Sequence, residues 1–235
     1  STLLLANSFL AQDSDTDKKF RLGLKVAAQP TWFSSNESST TKSKTGFGFG
    51  FGLVTEFRLG KTASFVTGIG GDFENGSIRY KYDPTSTSPY SVGYILDASN
   101  EMKELKDGAI AANLLQTGET SYGGVYERKI KTTHVTIPIA LKMMTKEIGG
   151  FKYFGMFGGE IGVRIKARAT DKYTNSTNNT GFSNSAGENS NININKDAAL
   201  VPIRVGMNVG LGAEYRLSGS TSAFLSVNYF RSFTN

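Results

Sequence analysis

The 235-residue sequence predicts an all-β fold, an up-and-down antiparallel β-barrel of eight strands that crosses a membrane. Three observations predict it. Apolar residues recur with period two over long segments, which is the spacing of strands and not of helices. The face opposite each apolar row is rich in Gly, Arg, Lys, Glu and Asn, and such a face cannot form a dry core. Apolar-out and polar-in is the arrangement of a barrel in lipid. The connections also alternate long and short, as the external loops and periplasmic turns of such barrels do.

The first strand sets Phe20, Leu22, Leu24, Val26 and Ala28 against Arg21, Gly23, Lys25 and Gln29. In the second, over 46–59, Phe47, Phe49, Phe51, Leu53, Phe57 and Leu59 oppose Gly46, Gly48, Gly50, Gly52, Glu56 and Arg58. In the third, Phe65, Ile69 and Phe73 oppose Gly68, Gly70, Asp72 and Glu74. Its phase then changes near Asn75-Gly76, which predicts a bulge there, and Ile78, Tyr80 and Tyr82 continue the apolar row. The fourth sets Val135, Ile137, Ile139, Leu141 and Met143 against His134, Thr136, Ala140 and Lys142. The fifth sets Phe157, Ile161, Val163, Ile165 and Ala167 against Glu160, Gly162, Arg164, Lys166 and Arg168. The sixth runs from Val201 to Tyr215 with Arg204, Gly206, Asn208, Gly210, Gly212, Glu214 and Arg216 on its polar face, and the seventh carries Ala223, Leu225, Val227 and Tyr229. Long connections fall at about 34–44, 83–121 and 170–196, and short ones at 60–61, 146–150 and 218–220. Each segment can supply the roughly 9–11 tilted residues that a crossing needs. Trp32, Tyr153, Tyr215 and Tyr229 fall near strand ends, where an aromatic girdle sits.

Composition excludes several functions. The 27 glycines and 38% apolar content disfavour a helical bundle. The absence of Cys removes disulfides, thiolate metal sites and Cys nucleophiles. A single histidine, His134, leaves no His-based metal site or triad within the chain, and no cofactor is expected. The net charge of +6 is spread over loops and polar faces with no nucleic-acid module. Some of it, such as Lys129 and Lys131, is expected to meet anionic lipid headgroups at the outer rim.

Residues 1–11 read as the tail of a secretory signal peptide, with cleavage after Ala11, and 12–19 as a polar leader. Asp13 to Asp17 resembles the opening of a calcium loop, but Lys18 stands where Gly is needed and Leu24 where a Glu is needed. The barrel proper is then 20–235. It shows seven strands where single-chain barrels close with an even number, so an eighth is expected beyond Asn235.

The inward charges are the best candidate for a functional feature. Lys25, Arg58, Lys142, Arg164, Lys166, Arg204 and Arg216 share polar faces with Glu56, Asp72, Glu74, Glu160 and Glu214. An eight-stranded barrel is just wide enough for side chains to fill it, so these charges are expected to pair across the lumen as a plug. A narrow polar conduit, or a small-anion site near Arg164, Lys166 and Arg168, is the other reading. Glu160 and Glu214 do not read as a glycosidase pair, because neighbouring Arg residues oppose the raised acid such a pair needs. The glycines of 46–52 alternate within a strand, whereas a phosphate loop places them in a turn that opens a helix. They leave room for bulky inward neighbours. Residues 101–117 contain good helix formers with Met102, Leu105, Leu114 and Leu115 apolar. They predict a short helix at the barrel mouth, either a lid or a docking surface for a partner. The Asn- and Ser-rich stretch 174–195 reads as a mobile external loop.

The stretches 135–142 (VTIPIALK), 157–163 (FGGEIGV) and 210–222 (GLGAEYRLSGSTS), with the closing 228–235 (NYFRSFTN), resemble the PorT-like family of small outer-membrane β-barrels from Bacteroidota. The resemblance covers most of the chain from Phe20, outside the long loops. It implies an eight-stranded barrel in the bacterial outer membrane, and the family includes a member tied to type IX secretion. It brings no catalytic motif. The expected role is therefore a non-enzymatic structural or accessory subunit of an envelope assembly linked to export, in contact with outer-membrane lipid and other envelope proteins. A small pore or solute-binding barrel is the alternative.

Overall fold

The computed structural model describes residues 2–5, 19–31, 40–81, 92–106, 115–178, 181–183, 186–196, 200–218 and 221–234. In chain order the strands are β1 (Thr2–Leu5), β2 (Phe20–Thr31), β3 (Thr40–Arg58), β4 (Ala63–Tyr80), β5 (Gly93–Leu96), β6 (Met102–Lys106), β7 (Thr120–Gly123), β8 (Glu127–Met144), β9 (Phe151–Tyr173), β10 (Asn175–Asn178), β11 (Gly181–Ser183), β12 (Gly187–Asn193), β13 (Ile203–Ser218) and β14 (Thr221–Ser232).

The seven alternating segments become β2, β3, β4, β8, β9, β13 and β14. Each pairs antiparallel with the next, and the sheet order runs β9-β13-β14-β1-β2-β3-β4-β8 and back to β9. The eighth place departs from the expectation. It is taken by β1, drawn from the stretch read as a signal-peptide tail, rather than by a segment after Asn235. Leu3 faces Tyr229 on one side, and Thr2 faces Thr31 on the other. The reason such a place must be filled is that an unpaired strand edge has no water to bond to in lipid. β1 is only four residues long and meets its neighbours at the external half of the wall.

Burial separates the two faces of the wall as the alternation requires. Large apolar side chains point outward along the seven long strands of the wall: Leu211 is 71% exposed, Phe47 64% and Phe157 62%. Residues facing the lumen are buried, among them Gln29, Asp72, His134, Lys142, Glu160, Glu214 and Asn228. Of the expected aromatic girdle, Tyr153, Tyr215 and Tyr229 lie on the outward face, and Trp32 falls outside the described residues. Phe151 packs on Tyr215 at 4.8 Å between ring centres near the periplasmic turns, and Phe57 lies between Phe20 and Phe65.

Two local features set the strand geometry. Between β8 and β9, Gly149 and Gly150 both have positive φ (61° and 85°), which a two-residue hairpin turn demands and side chains resist. In β8, Pro138 has no N–H, and the β4–β8 pairing skips Gly68 and Ile69 opposite it. The glycines of β3 make room for something other than the bulky cations expected. A Cβ on Gly50 would collide with the Asp72 carboxylate, and one on Gly48 with the Phe73 carbonyl.

At the external end the apolar face changes sides. On β4, Ile69 faces out, but Tyr80 is buried inside with Ile78 packed beside it. The pairing of β4 with β8 keeps one register throughout, so the apparent phase change near Asn75 is this inversion and not a bulge in β4. The extra residue lies opposite, in β3 between Thr45 and Phe49, where the Asn75 carboxamide accepts a hydrogen bond from the Phe47 N–H at 2.9 Å. On β9 a true bulge makes the change. The β8–β9 register shifts by one at Ile165, between the Arg164 and Lys166 pairings. Beyond it Ala167, Ala169 and Asp171 turn inward.

Ala167 and Ala169 form an apolar core above the lumen with Tyr80, Val92, Tyr94, Leu96, Met102, Val125, Ile130, Ile192 and Ile194. A second sheet, in the order β11-β10-β7-β5-β6, builds the cap around it. The expected helix within 101–117 is absent among the described residues: Met102–Lys106 is strand β6, paired to β5. Burial of Met102 in a sheet core outweighs the weak local preference for helix. The stretch expected to be a mobile loop contributes β10, β11 and β12. Ile192 and Ile194, both buried, fix it, and Asn191 takes the left-handed φ of 60° at the irregularity in β12.

Replacing Leu211 by Arg places a charge at the middle of the outer wall. It is expected to cost about 2–4 kcal/mol in a denaturant titration of the barrel folded into lipid vesicles. An unchanged midpoint contradicts lipid contact at this face.

Candidate functional site: the charged lumen

The lumen is crossed at two levels. At the upper level, Arg204 on β13 reaches across to β4. Its guanidinium bonds the Glu74 carboxylate, lies 3.2 Å from Asp72 and 2.9 Å from Glu160 of β9, and rests 4.7 Å from the Phe230 ring centre. His134 of β8 completes the group, with Nδ1 3.5 Å from Glu74. At the lower level, Lys142 of β8 donates to both Glu56 of β3 and Glu214 of β13, each at 3.0 Å. Arg21 of β2 donates to Glu214 at 2.8 Å. The Lys142 ammonium also sits over the Phe154 ring at 4.6 Å and near Phe224. β3 and β13 stand four places apart in the ring, so this level spans the full width of the barrel. Out of water, such charges stay ionised only when paired and hydrogen-bonded.

Of the twelve residues expected in the lumen network, the structure brings seven into these two levels: Glu56, Asp72, Glu74, Lys142, Glu160, Arg204 and Glu214. Lys25 lines a cavity of about 60 Å³ between them, with Asn208, Asn228, Phe154 and Phe224. That is space for a few waters. Arg164 stands at the external rim and donates to the backbone carbonyls of Val201 and Asn195. Arg58 and Arg216 lie at the periplasmic end of β3 and β13. Lys166 is a correction. The Ile165 bulge turns it and Arg168 to the outside, which also takes apart the expected anion site with Arg164.

Other expected positions differ as well. Met102 and Leu115 are buried in the cap, 6% and 8% exposed, so neither presents a docking surface. Leu114 and the side chain of Leu105 lie outside the described residues. Arg21 was legible as an inward residue of the first strand but had no visible partner, because Glu214 is 193 positions away.

A buried pair that the alternation does not announce ties the cap to the wall. Arg128 of β8 and Asp171 of β9 are almost wholly buried and joined by two donor nitrogens, with one contact at 2.8 Å. Tyr94 of the cap sheet lies 5.5 Å from the guanidinium, and the Met102 sulfur 3.6 Å from it. Burial works to lower the Arg128 pKa, but the Asp171 charge and hydrogen bonds outweigh it and hold the group above its ordinary value. Burial, then the Asp171 charge, push the Tyr94 phenol up. Both Arg128 and Tyr94 therefore keep their protons at neutral pH.

Substituting Arg204 by Leu strands three carboxylates, and is expected to destabilise the barrel by about 3–5 kcal/mol. Lys25→Met breaks no ion pair among the described residues and is expected to cost about 1 kcal/mol or less. Equal losses in a denaturant titration contradict the assignment of Arg204 as the hub. Asp171→Ala is expected to open the cap to protease at concentrations that leave the parent intact, while heat-modifiable gel mobility of the barrel persists.

The sequence matches the model of the outer membrane protein β-barrel domain over residues 10–235. No protein of curated function matches the chain. A wall with its apolar side turned to lipid is what that family shares, and this chain belongs to it, as a protein of the bacterial outer membrane.

Proposed function

We propose that the chain is a non-conducting, non-enzymatic barrel that serves as a structural or accessory subunit of an envelope assembly. The observation that carries this reading is the double crossing of the lumen by ion pairs, which fills the route a solute needs. The folded cap supports it further, because a core of its own over the external end gives partners a rigid surface. The partner meets the outside of that cap, since Met102 and Leu115 are spent on its interior. The resemblance to the PorT-like family adds a link to protein export of the type IX kind.

A small pore is the second reading, favoured by the cavity beside Lys25. Planar-bilayer recording separates the two. The accessory reading expects no conductance steps from the parent protein, and stoichiometric envelope proteins on purification from native outer membrane in mild detergent. Reproducible steps that grow when Lys142 and Arg204 are both replaced by Ala establish the pore. A clean monomer without conductance removes the accessory reading.

A further inference from the structure

We infer that a basic strip on the outer wall, centred on Lys131, Lys166 and Arg168, binds the phosphate-bearing headgroup of an outer-leaflet lipid. The strip is a product of the Ile165 bulge. Without it Lys166 and Arg168 would face the lumen; with it they join the outward row of β8. Lys131 is the direct cross-strand partner of Arg168, and Thr133 of Lys166. Lys129 follows two positions above Lys131, and Lys44 on β3 shares its row through Ser77.

Like charges directly opposite on a sheet repel, and so many in one place need a counter-charge. The protein supplies little. Among the described residues, Lys44, Lys129, Lys131 and Lys166 have no ion-pair partner, and all four are exposed. Glu127, further up, is shared between Arg79 at 4.0 Å and Lys172 at 3.9 Å. Arg168 is held in place at the strip, since its guanidinium donates to Asn193 Oδ1 at 2.7 Å and to the Ala167 carbonyl.

The geometry suits a phosphate. Adjacent strands are about 4.8 Å apart and alternate residues about 6.6 Å, so two lysines and an arginine can converge on one tetrahedral group. Its oxygens accept charge-assisted hydrogen bonds from all three. The position suits a lipid rather than a free anion. The strip begins one residue above Ile165, which is 59% exposed, and Val163 and Ile137 continue the apolar wall below it. A headgroup on the strip leaves its acyl chains lying along that wall.

The test uses the full chain in detergent, titrated with phosphatidic acid or phosphatidylcholine and read by native mass spectrometry. Phosphatidic acid is expected to be retained in preference to phosphatidylcholine. Lys131→Ala/Lys166→Ala/Arg168→Ala is expected to weaken it by roughly tenfold to a hundredfold, given the typical effect of each cation near an anionic surface. The control Lys61→Ala/Lys146→Ala, at the periplasmic turns, is expected to bind like the parent. Gel mobility before and after heating checks that each variant is folded, and Lys131→Ala alone, expected to lose part of the binding, replaces the triple variant if that one fails to fold. Equal retention of the two lipids, a folded variant that binds like the parent, or a control that loses as much, overturns the proposal. Competition by millimolar inorganic phosphate as strong as that by phosphatidic acid also overturns it, by showing a site for the free anion.

Discussion

The longer strands of the wall must satisfy two solvents in succession, and the rest of the structure follows from where each changes from one to the other. In lipid, backbone groups can be paired only by neighbouring strands, so the wall must come back on itself and its apolar side must face out. Above the lipid, water reverses the preference and the apolar side must face in. β4, β8 and β9 run through both zones. Ile69, Ile137 and Ile165 face the lipid, whereas Tyr80, Ile130 and Ala167 close on a core.

The interior answers the same constraint differently at each height. Between the lipid-facing walls the space is too narrow for bulk water and too polar for a hydrophobic core. Cations with several carboxylates each are one solution, and aromatic rings beneath them are another part of it. Lys142 and Arg204 both use the two together, with Phe154 and Phe230 as their supports. Buried ion pairs contribute little net stability over an apolar core. Their value here is that the same strands can carry glycine and charge inward without leaving a void. In the cap, where an apolar interior is possible, only Arg128 and Asp171 remain as a buried pair of this kind, among the described residues.

The crossing strands were legible because period two with opposite faces leaves a strong local trace. Phe47 to Leu59 could be nothing but a strand. The lumen partners were legible as a set but not as pairs, since Arg21 and Glu214 meet only once the barrel closes. The cap was not legible. Its strands are short, and Met102 to Lys106 carries a composition that suits helix as well as sheet. Lys166 and Arg168 were assigned to the wrong face, because a single extra residue at Ile165 leaves no mark in composition and changes only the register. The inversion on β4 left a mark at Ile78 and Tyr80, but the same mark fits a bulge.

The bulge at Ile165 also divides β9 into two reading frames. Below it, even-numbered positions write the interior; above it, odd-numbered positions do. An insertion or deletion of one residue in the upper frame scrambles the cap but spares the barrel, because the bulge is where slack in the register is already absorbed. The external part can therefore change length and content over generations while the part in lipid keeps its grammar, and one unpaired residue is the punctuation between them.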